Sequence, residues 1–280
     1  MARMNEAASS PAARRGSAPA LQGKSAVVTG STSGIGLGIA RTLAEAGCNI
    51  MLNGFGEASA IEQERAGIAK DFGVKAGFSS ADLSKPVEVQ QMIEAANRDL
   101  GQVDILVNNA GGPPAGDFRT FSRADWLAAI DANMLSAIEL IKATIDPMIA
   151  RRFGRIVNIT SGAVKAPISY LALSNGARSG LTGFVAGLAR EVSRHNVTIN
   201  NLLPGSFETD RLVGTARTQG EKDGLSVEEQ LARWQAGEAS GRFGDPKEFG
   251  AVCAFLCSIH AGYLTGQNLL MDGGTYPGTF

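Results

Sequence analysis

The sequence has little to suggest a charged or metal-rich partner. Its formal net charge is only −1, so no excess of either sign points to nucleic acid or to an anionic membrane surface. No apolar run reaches the 18 or more residues that a transmembrane helix needs. There are three cysteines, Cys48, Cys253 and Cys257, an odd number that argues against a disulfide framework and for a reducing, cytoplasmic setting. The two histidines, His195 and His260, are far apart in sequence. No cysteine or histidine pair has the spacing of a structural zinc site, so no metal is expected. Cys253 and Cys257 stand four apart in an apolar segment and read as one buried helix face.

What is plentiful is small and apolar. Glycine supplies 35 of the 280 residues, against a usual level of about 7%. The excess has no collagen period, so it implies tight turns and close backbone approaches. Hydrophobic residues make up 44%, enough for a large core. Residues 1–20 are mostly Ala, Ser, Pro and Arg, with almost no large apolar side chains, and cannot bury one. They read as a disordered tail, because the amphipathic stripe of a transit peptide is missing.

From Leu21 to the C-terminus, short apolar runs alternate with helix-period segments. Strands are expected at 25–29, 49–53, up to about 80, at 103–107, 155–160, 197–203 and 267–271. Helices are expected between them. Ser84 is placed to cap one, and Ser122 to Asp125 has capping-box spacing at the head of a long one. The long helix over 171–192 follows strand five. This alternation predicts an α/β fold: a single doubly wound Rossmann domain over 21–280, with a parallel seven-stranded sheet and helices on both faces. Ligands in such sheets bind beyond the carboxyl ends of the strands. The informative residues therefore follow each strand.

After strand one comes Thr29-Gly30-Ser31-Thr32-Ser33-Gly34-Ile35-Gly36. Between a first strand and a first helix, such a turn suits a pyrophosphate on the helix N-terminus. Gly30, Thr32, Ser33, Gly34, Ile35 and Gly36 are the expected contacts. After strand two comes Asn53-Gly54-Phe55, with neither the Asp or Glu that takes a 2′-hydroxyl nor the Arg that takes a 2′-phosphate. No cation stands nearby in sequence, so NAD is favoured over NADP. Asn53 then bonds the ribose and Phe55 flanks the adenine. Asp82 and Leu83 face the adenine edge, although Asp82 also reads as a plain turn residue. Asn109, Ala110 and Gly111 let the chain pass a ribose. Pro204, Gly205 and Thr209 complete the set after strand six.

TGxxxGIG at 29–36, NNAG at 108–111 and PGxxxT at 204–209 resemble the short-chain dehydrogenase/reductase superfamily. The resemblance runs from Leu21 to about Gly274. The stretches 30–38 and 52–56 are similar to bacterial 3-hydroxybutyrate dehydrogenases, which implies NAD. The second half is similar to relatives labelled oxoacyl reductases. The resemblance implies an Asn-Ser-Tyr-Lys tetrad. Its Asn maps to Asn133 and its Ser to Ser161. Matching Gly180-Leu181 and Gly183-Phe184 to the family puts Ser174 at the Tyr position and Arg178 at the Lys position, so YxxxK becomes SxxxR.

That departure bears on the chemistry. In the family the phenol, near pKa 10 when free, exchanges a proton with the substrate oxygen. A serine is less acidic and shorter. Arg178 can grip a ribose but keeps its proton. Tyr170, four residues before Ser174, offers a phenol if the helix starts early enough for the two to share a face; otherwise it is a rim residue. Lys165 reads as a proton donor, an anion contact or a solvated loop lysine. Ser161 either polarises a carbonyl or bonds the backbone. The 111–116 loop and 161–173 do not reproduce the polar substrate contacts of hydroxybutyrate dehydrogenases. Residues 207–241 read as a long loop that acts as a lid.

The reading is thus an NAD(P)-dependent alcohol/carbonyl oxidoreductase with Asn133, Ser161, Tyr170, Ser174 and Arg178 at its centre. It takes a small-molecule substrate, and the resemblance implies a homotetramer or homodimer. The alternative is a dinucleotide-binding protein that has lost hydride transfer and serves as a sensor or subunit partner.

Overall fold

Strands that are apolar on both faces must be covered on both, and the short apolar runs here meet that demand by forming one parallel sheet. In the computed structural model, which describes residues 21–279, the strands are β1 (Ser25–Val28), β2 (Asn49–Asn53), β3 (Ala76–Ser79), β4 (Val103–Asn108), β5 (Gly154–Ile159), β6 (Val197–Pro204) and β7 (Asn268–Met271). All neighbours are parallel, in the order β3-β2-β1-β4-β5-β6-β7. The order reverses between β1 and β4, which opens a crevice at their carboxyl ends. The tail expected over 1–20 lies outside the described residues.

Helices α1 (Gly34–Glu45), α2 (Ala58–Phe72), α3 (Pro86–Leu100), α4 (Arg123–Ile130), α5 (Ser136–Arg151), α6 (Ala172–Val192), α7 (Asp210–Asp223), α8 (Val227–Gly237) and α9 (Pro246–Cys257) alternate with the strands. On one face, Ile39 and Leu43 of α1 meet Phe249 and Leu256 of α9 over Val28 and Leu52. On the other, Met92 of α3, Leu140 of α5 and Val185 of α6 cover Val27, Leu106 and Ile156. This is the single doubly wound domain that the alternation predicts. Cys48, Cys253 and Cys257 are free thiols buried in the first of these cores.

One polar line crosses the sheet. Asn108 Nδ2 donates to Asn158 Oδ1 (2.8 Å), Asn158 Nδ2 to Asn201 Oδ1 (3.1 Å), and Asn201 Nδ2 to Asn268 Oδ1 (2.8 Å). The four residues share one register on β4 to β7. Along the line each amide donates to the oxygen of the next, which is how such groups tolerate burial, while the oxygen at its start, Asn108 Oδ1, has no partner among the described residues.

Three local expectations need correction. Ser84 does not cap α3: Pro86 opens that helix behind Lys85, and the Ser84 hydroxyl instead donates to Asp82. The capping box at Ser122 and Asp125 is present, but the helix it starts is interrupted by a π-helical turn over Asp131–Leu135 before α5. The segment 207–241 is not a loop, because α7 and α8 occupy it. Its ends are pinned together. Glu208 N–H donates to the Gly244 carbonyl and Gly244 N–H to that of Ser206. Among the described residues no helix is long and apolar enough to cross a membrane.

Candidate active site

The chain leaves β1 through a turn that only small residues permit. Gly30 has φ +54°, and a Cβ there would stand 2.7 Å from the Asn109 carbonyl oxygen. A Cβ on Gly36 would run into the Gly30 carbonyl. Ser33 sits at the N-cap of α1, yet its side chain caps nothing, and no acid lies in the first turn. The N–H groups of Gly34, Ile35 and Gly36 therefore meet the β1–β4 crevice with the positive end of the helix behind them. This arrangement fits a dinucleotide diphosphate. Thr209, at the N-cap of α7, leans over the same turn, its methyl 3.4 Å from where a Gly34 Cβ would be. Pro204 and Gly205 lead out of β6, and Gly205 N–H donates to the Met271 carbonyl.

Several expected cofactor contacts have other partners. Asn109 receives the Thr29 hydroxyl on its carbonyl (2.8 Å), gives its own N–H to that hydroxyl (2.8 Å) and caps the Gly30 carbonyl through Nδ2 (2.9 Å). It staples the turn to the end of β4. Asn53 spends Nδ2 on the carbonyls of Ser79 and Ala81, which leaves only its Oδ1 for a ribose. Thr32 donates to the Phe55 carbonyl, and the Phe55 ring is 69% exposed. Asp82 accepts from both the N–H and the hydroxyl of Ser84, which holds its carboxyl below the ordinary range. It serves as a turn residue at the crevice rim beside Leu83.

At the centre, Arg178 projects from α6 and is almost fully buried. Nη1 donates to the carbonyls of Ile159 (2.7 Å) and Thr160 (2.8 Å), and Nη2 to that of Ala110 (3.2 Å), just ahead of Gly111. Three of its five N–H donors are thereby used. Its guanidinium ties α6 to the ends of β4 and β5. Burial draws its pKa down to about 10, and the charge of Arg211 adds to that. Asn133 lies in the π-helical turn, buried, with Oδ1 lacking any partner among the described residues. Asn108 Oδ1 is also unpartnered. Both line, with Arg178, Thr29 and Leu83, a cavity of ≈ 20 Å³ for the centre of a water molecule, enough for about one.

Ser161 follows β5 as the N-cap of a short 3-10 turn. Its Oγ accepts from Ala163 N–H at 3.1 Å. The backbone role considered for it is real, but it leaves the hydroxyl proton free to give. Ser174 is buried in the first turn of α6, and its side chain makes no hydrogen bond among the described residues. Tyr170 does not share a helical face with it. α6 begins at Ala172, and Tyr170 lies outside it, 57% exposed, its carbonyl accepting from Gly116 N–H. Lys165 closes the 3-10 turn, half-buried and without an ion pair among the described residues.

Sequence reasoning missed the π-helical turn, the asparagine line and Arg211. The line leaves little signal: Asn recurs in strands four to seven, but at different distances from their ends, and only the register of the finished sheet aligns them. The interrupted helix leaves none, since apolar residues continue through it.

A family model described as enoyl-(acyl carrier protein) reductase matches residues 30–276. The D-beta-hydroxybutyrate dehydrogenase of Cupriavidus necator is 37% identical over 255 residues, covering 91% of this chain and 98% of its own. The chain belongs to the short-chain dehydrogenase/reductase superfamily. It is accordingly an oxidoreductase. The 3-oxoacyl-(acyl-carrier-protein) reductase of Chlamydia muridarum is 35% identical over 258 residues, with 91% and 98% covered. Among solved structures, L-sorbose reductase from Gluconobacter frateurii, complexed with NADPH and L-sorbose, superimposes with a TM-score of 0.88 at 28% identity, covering 94% of this chain and 100% of that one. An actinorhodin polyketide ketoreductase with NADPH gives 0.85 at 31%, with 90% and 97% covered.

Proposed function

We propose that the protein interconverts an alcohol and a carbonyl with a nicotinamide dinucleotide, NAD rather than NADP, and with an altered proton-donor position. What supports this is that the uncapped α1 N-terminus, Asn133, Arg178 and Ser161 all lie around the carboxyl ends of β1, β4 and β5, where Arg178 bonds the end of β5 just ahead of Ser161. When bound, the dinucleotide supplies or accepts the hydride. The first turn of α1 holds its diphosphate, and Thr209 covers it. Ser161, with a free hydroxyl proton, holds the substrate oxygen, and Ser174 supplies a second hydroxyl where the superfamily carries tyrosine. Arg178 fixes the floor of the site. Tyr170 stays at the rim.

The preference for NAD rests on paired cations. Arg41 is held by Glu64 and Asp71, and Arg65 by Glu62. Neither is left for a 2′-phosphate near Asn53 and Phe55. The sorbose reductase complex contains NADPH, so the two proteins would differ here.

A homo-oligomer, dimer or tetramer, is supported by Leu127, Leu135 and Phe184, large apolar side chains exposed on α4, the π-helical turn and α6. A cytoplasmic location accords with three unpaired thiols.

The alternative, a dinucleotide-binding protein without hydride transfer, is favoured by one observation: the buried site holds Ser174 where an acid is needed, and the phenol of Tyr170 is outside. Titration with NADH and NADPH decides the first part. Saturable NADH binding, weaker in Arg178→Ala, supports the dinucleotide site. No binding of either sinks both readings. NADH binding without oxidation across a panel of ketones leaves the alternative.

A further inference from the structure

Two residues apart at the start of α7, two side chains face opposite walls of the crevice. Thr209 leans on the turn after β1. Arg211 crosses to the loop after β4, where its guanidinium lies against Gly112: a Cβ there would be 2.6 Å from Nη2 and 3.3 Å from Nη1. A side chain at position 112 would push the fork aside. Arg211 is exposed on its outer side. Among the described residues it has no ion pair, and only its backbone carbonyl takes part in a hydrogen bond, from Thr215. The neighbouring acids do not serve it. Glu208 contributes its charge to Arg242, and Asp210 heads α7 without pairing to Arg211.

The second positive group at this place is Arg178, whose partners are all carbonyls. The charge of Arg211 reaches it, and Arg178 itself has no carboxylate partner among the described residues. Two guanidinium groups therefore meet the same loop after β4, Arg178 at the Ala110 carbonyl and Arg211 at Gly112, and neither is ion-paired among the described residues. A planar fork with free donors matches a carboxylate in two parallel hydrogen bonds. Arg178 has committed Nη1, so one open fork remains, which suits a monoanion.

We infer that Arg211 binds the carboxylate of an oxo- or hydroxy-acid substrate, holding it against the 111–116 loop so that the acid's carbonyl or hydroxyl group reaches Ser161. This rests on the alcohol/carbonyl reading above and adds the substrate class. Arg211 is borne on the α7–α8 flap, so the anion contact forms between the flap and the sheet.

The test compares acetoacetate with its neutral methyl ester by calorimetry, on the whole protein with and without NADH, in wild type, Arg211→Ala and Arg211→Lys. The acid is expected to bind about tenfold tighter than the ester in wild type. Arg211→Ala removes that difference by weakening the acid alone, and Arg211→Lys retains part of it. Equal binding of acid and ester, no binding of the acid, or an unchanged preference in Arg211→Ala overturns the inference. So does an equal loss of NADH affinity in Arg211→Ala, which would place the guanidinium on the dinucleotide. NADH titration without the acid is a separate arm. If NADH fails to bind while the acid still discriminates through Arg211, the redox reading falls and the anion site stands.

Discussion

Asn108 and Asn158 meet side chain to side chain at 2.8 Å inside the sheet, and this bond is the first rung of a line that ends at Asn268. Asn108 also lines the small cavity beside Arg178, and its Oδ1 has no partner among the described residues. Replacing Asn158 by Leu strands Asn108 Nδ2 and Asn201 Oδ1 in a dry interior. The expected cost is about 2–4 kcal/mol, read as a lower urea midpoint with an unchanged slope.

Gly36→Ala tests the turn. The added methyl meets the Gly30 carbonyl, so the turn must open and the α1 N–H groups lose their aim. NADH affinity should fall by about five- to thirtyfold, since an anion contact of this type contributes about 1–2 kcal/mol. The far-UV circular dichroism should be retained. Retained affinity would mean that the diphosphate does not rest on this turn.

Ser161 and Tyr170 should separate cleanly. Ser161→Ala removes the hydroxyl aimed at the substrate oxygen and is expected to lower turnover by about 10²–10³. Tyr170→Phe, at the rim, should leave turnover within about twofold, because exposed side chains without partners contribute little. NADH oxidation with a reducible ketone reads both. The reverse ranking would give the proton to Tyr170.

The flap has an acid-sensitive anchor. Arg242 holds Glu248 through two hydrogen bonds, and Asp245 N–H adds a third. These bring the Glu248 carboxyl from its ordinary 4.5 down to about 2. The folded state thus favours the ionised form. Its contribution is complete above about pH 4.5 and is lost as the pH falls towards 2. The stability gap between wild type and Glu248→Gln should be widest at neutral pH and should close over that window. A gap that widens in acid contradicts the assignment.

The sheet was legible because its signal is local. Apolar runs bounded by Gly, Asn or Lys can only be buried strands here, and the turn chemistry at 29–36 names the crevice. The bonding of Arg178 and Asn53 was not legible, since their donors go to carbonyls brought near only by the finished fold. The flap was misread for another reason. α7 is polar almost throughout and shows no clear apolar stripe, although Ser226 and Glu229 already carry the capping-box spacing that starts α8. Tyr170 failed on a boundary of two residues, which decides whether a side chain lies on a helix or before it.

The π-helical turn over Asp131–Leu135 amounts to one residue too many in an otherwise regular rod. Successive residues in a helix are rotated by roughly 100°. The surplus is therefore what lets α4 present Ser122 and Trp126 on their own bearing while Asn133 points inward at Arg178. Length, more than composition, is constrained there. Losing a single residue from this stretch would let the rod close into one continuous helix and swing Asn133 out of the crevice, with every other side chain of the site still in the sequence.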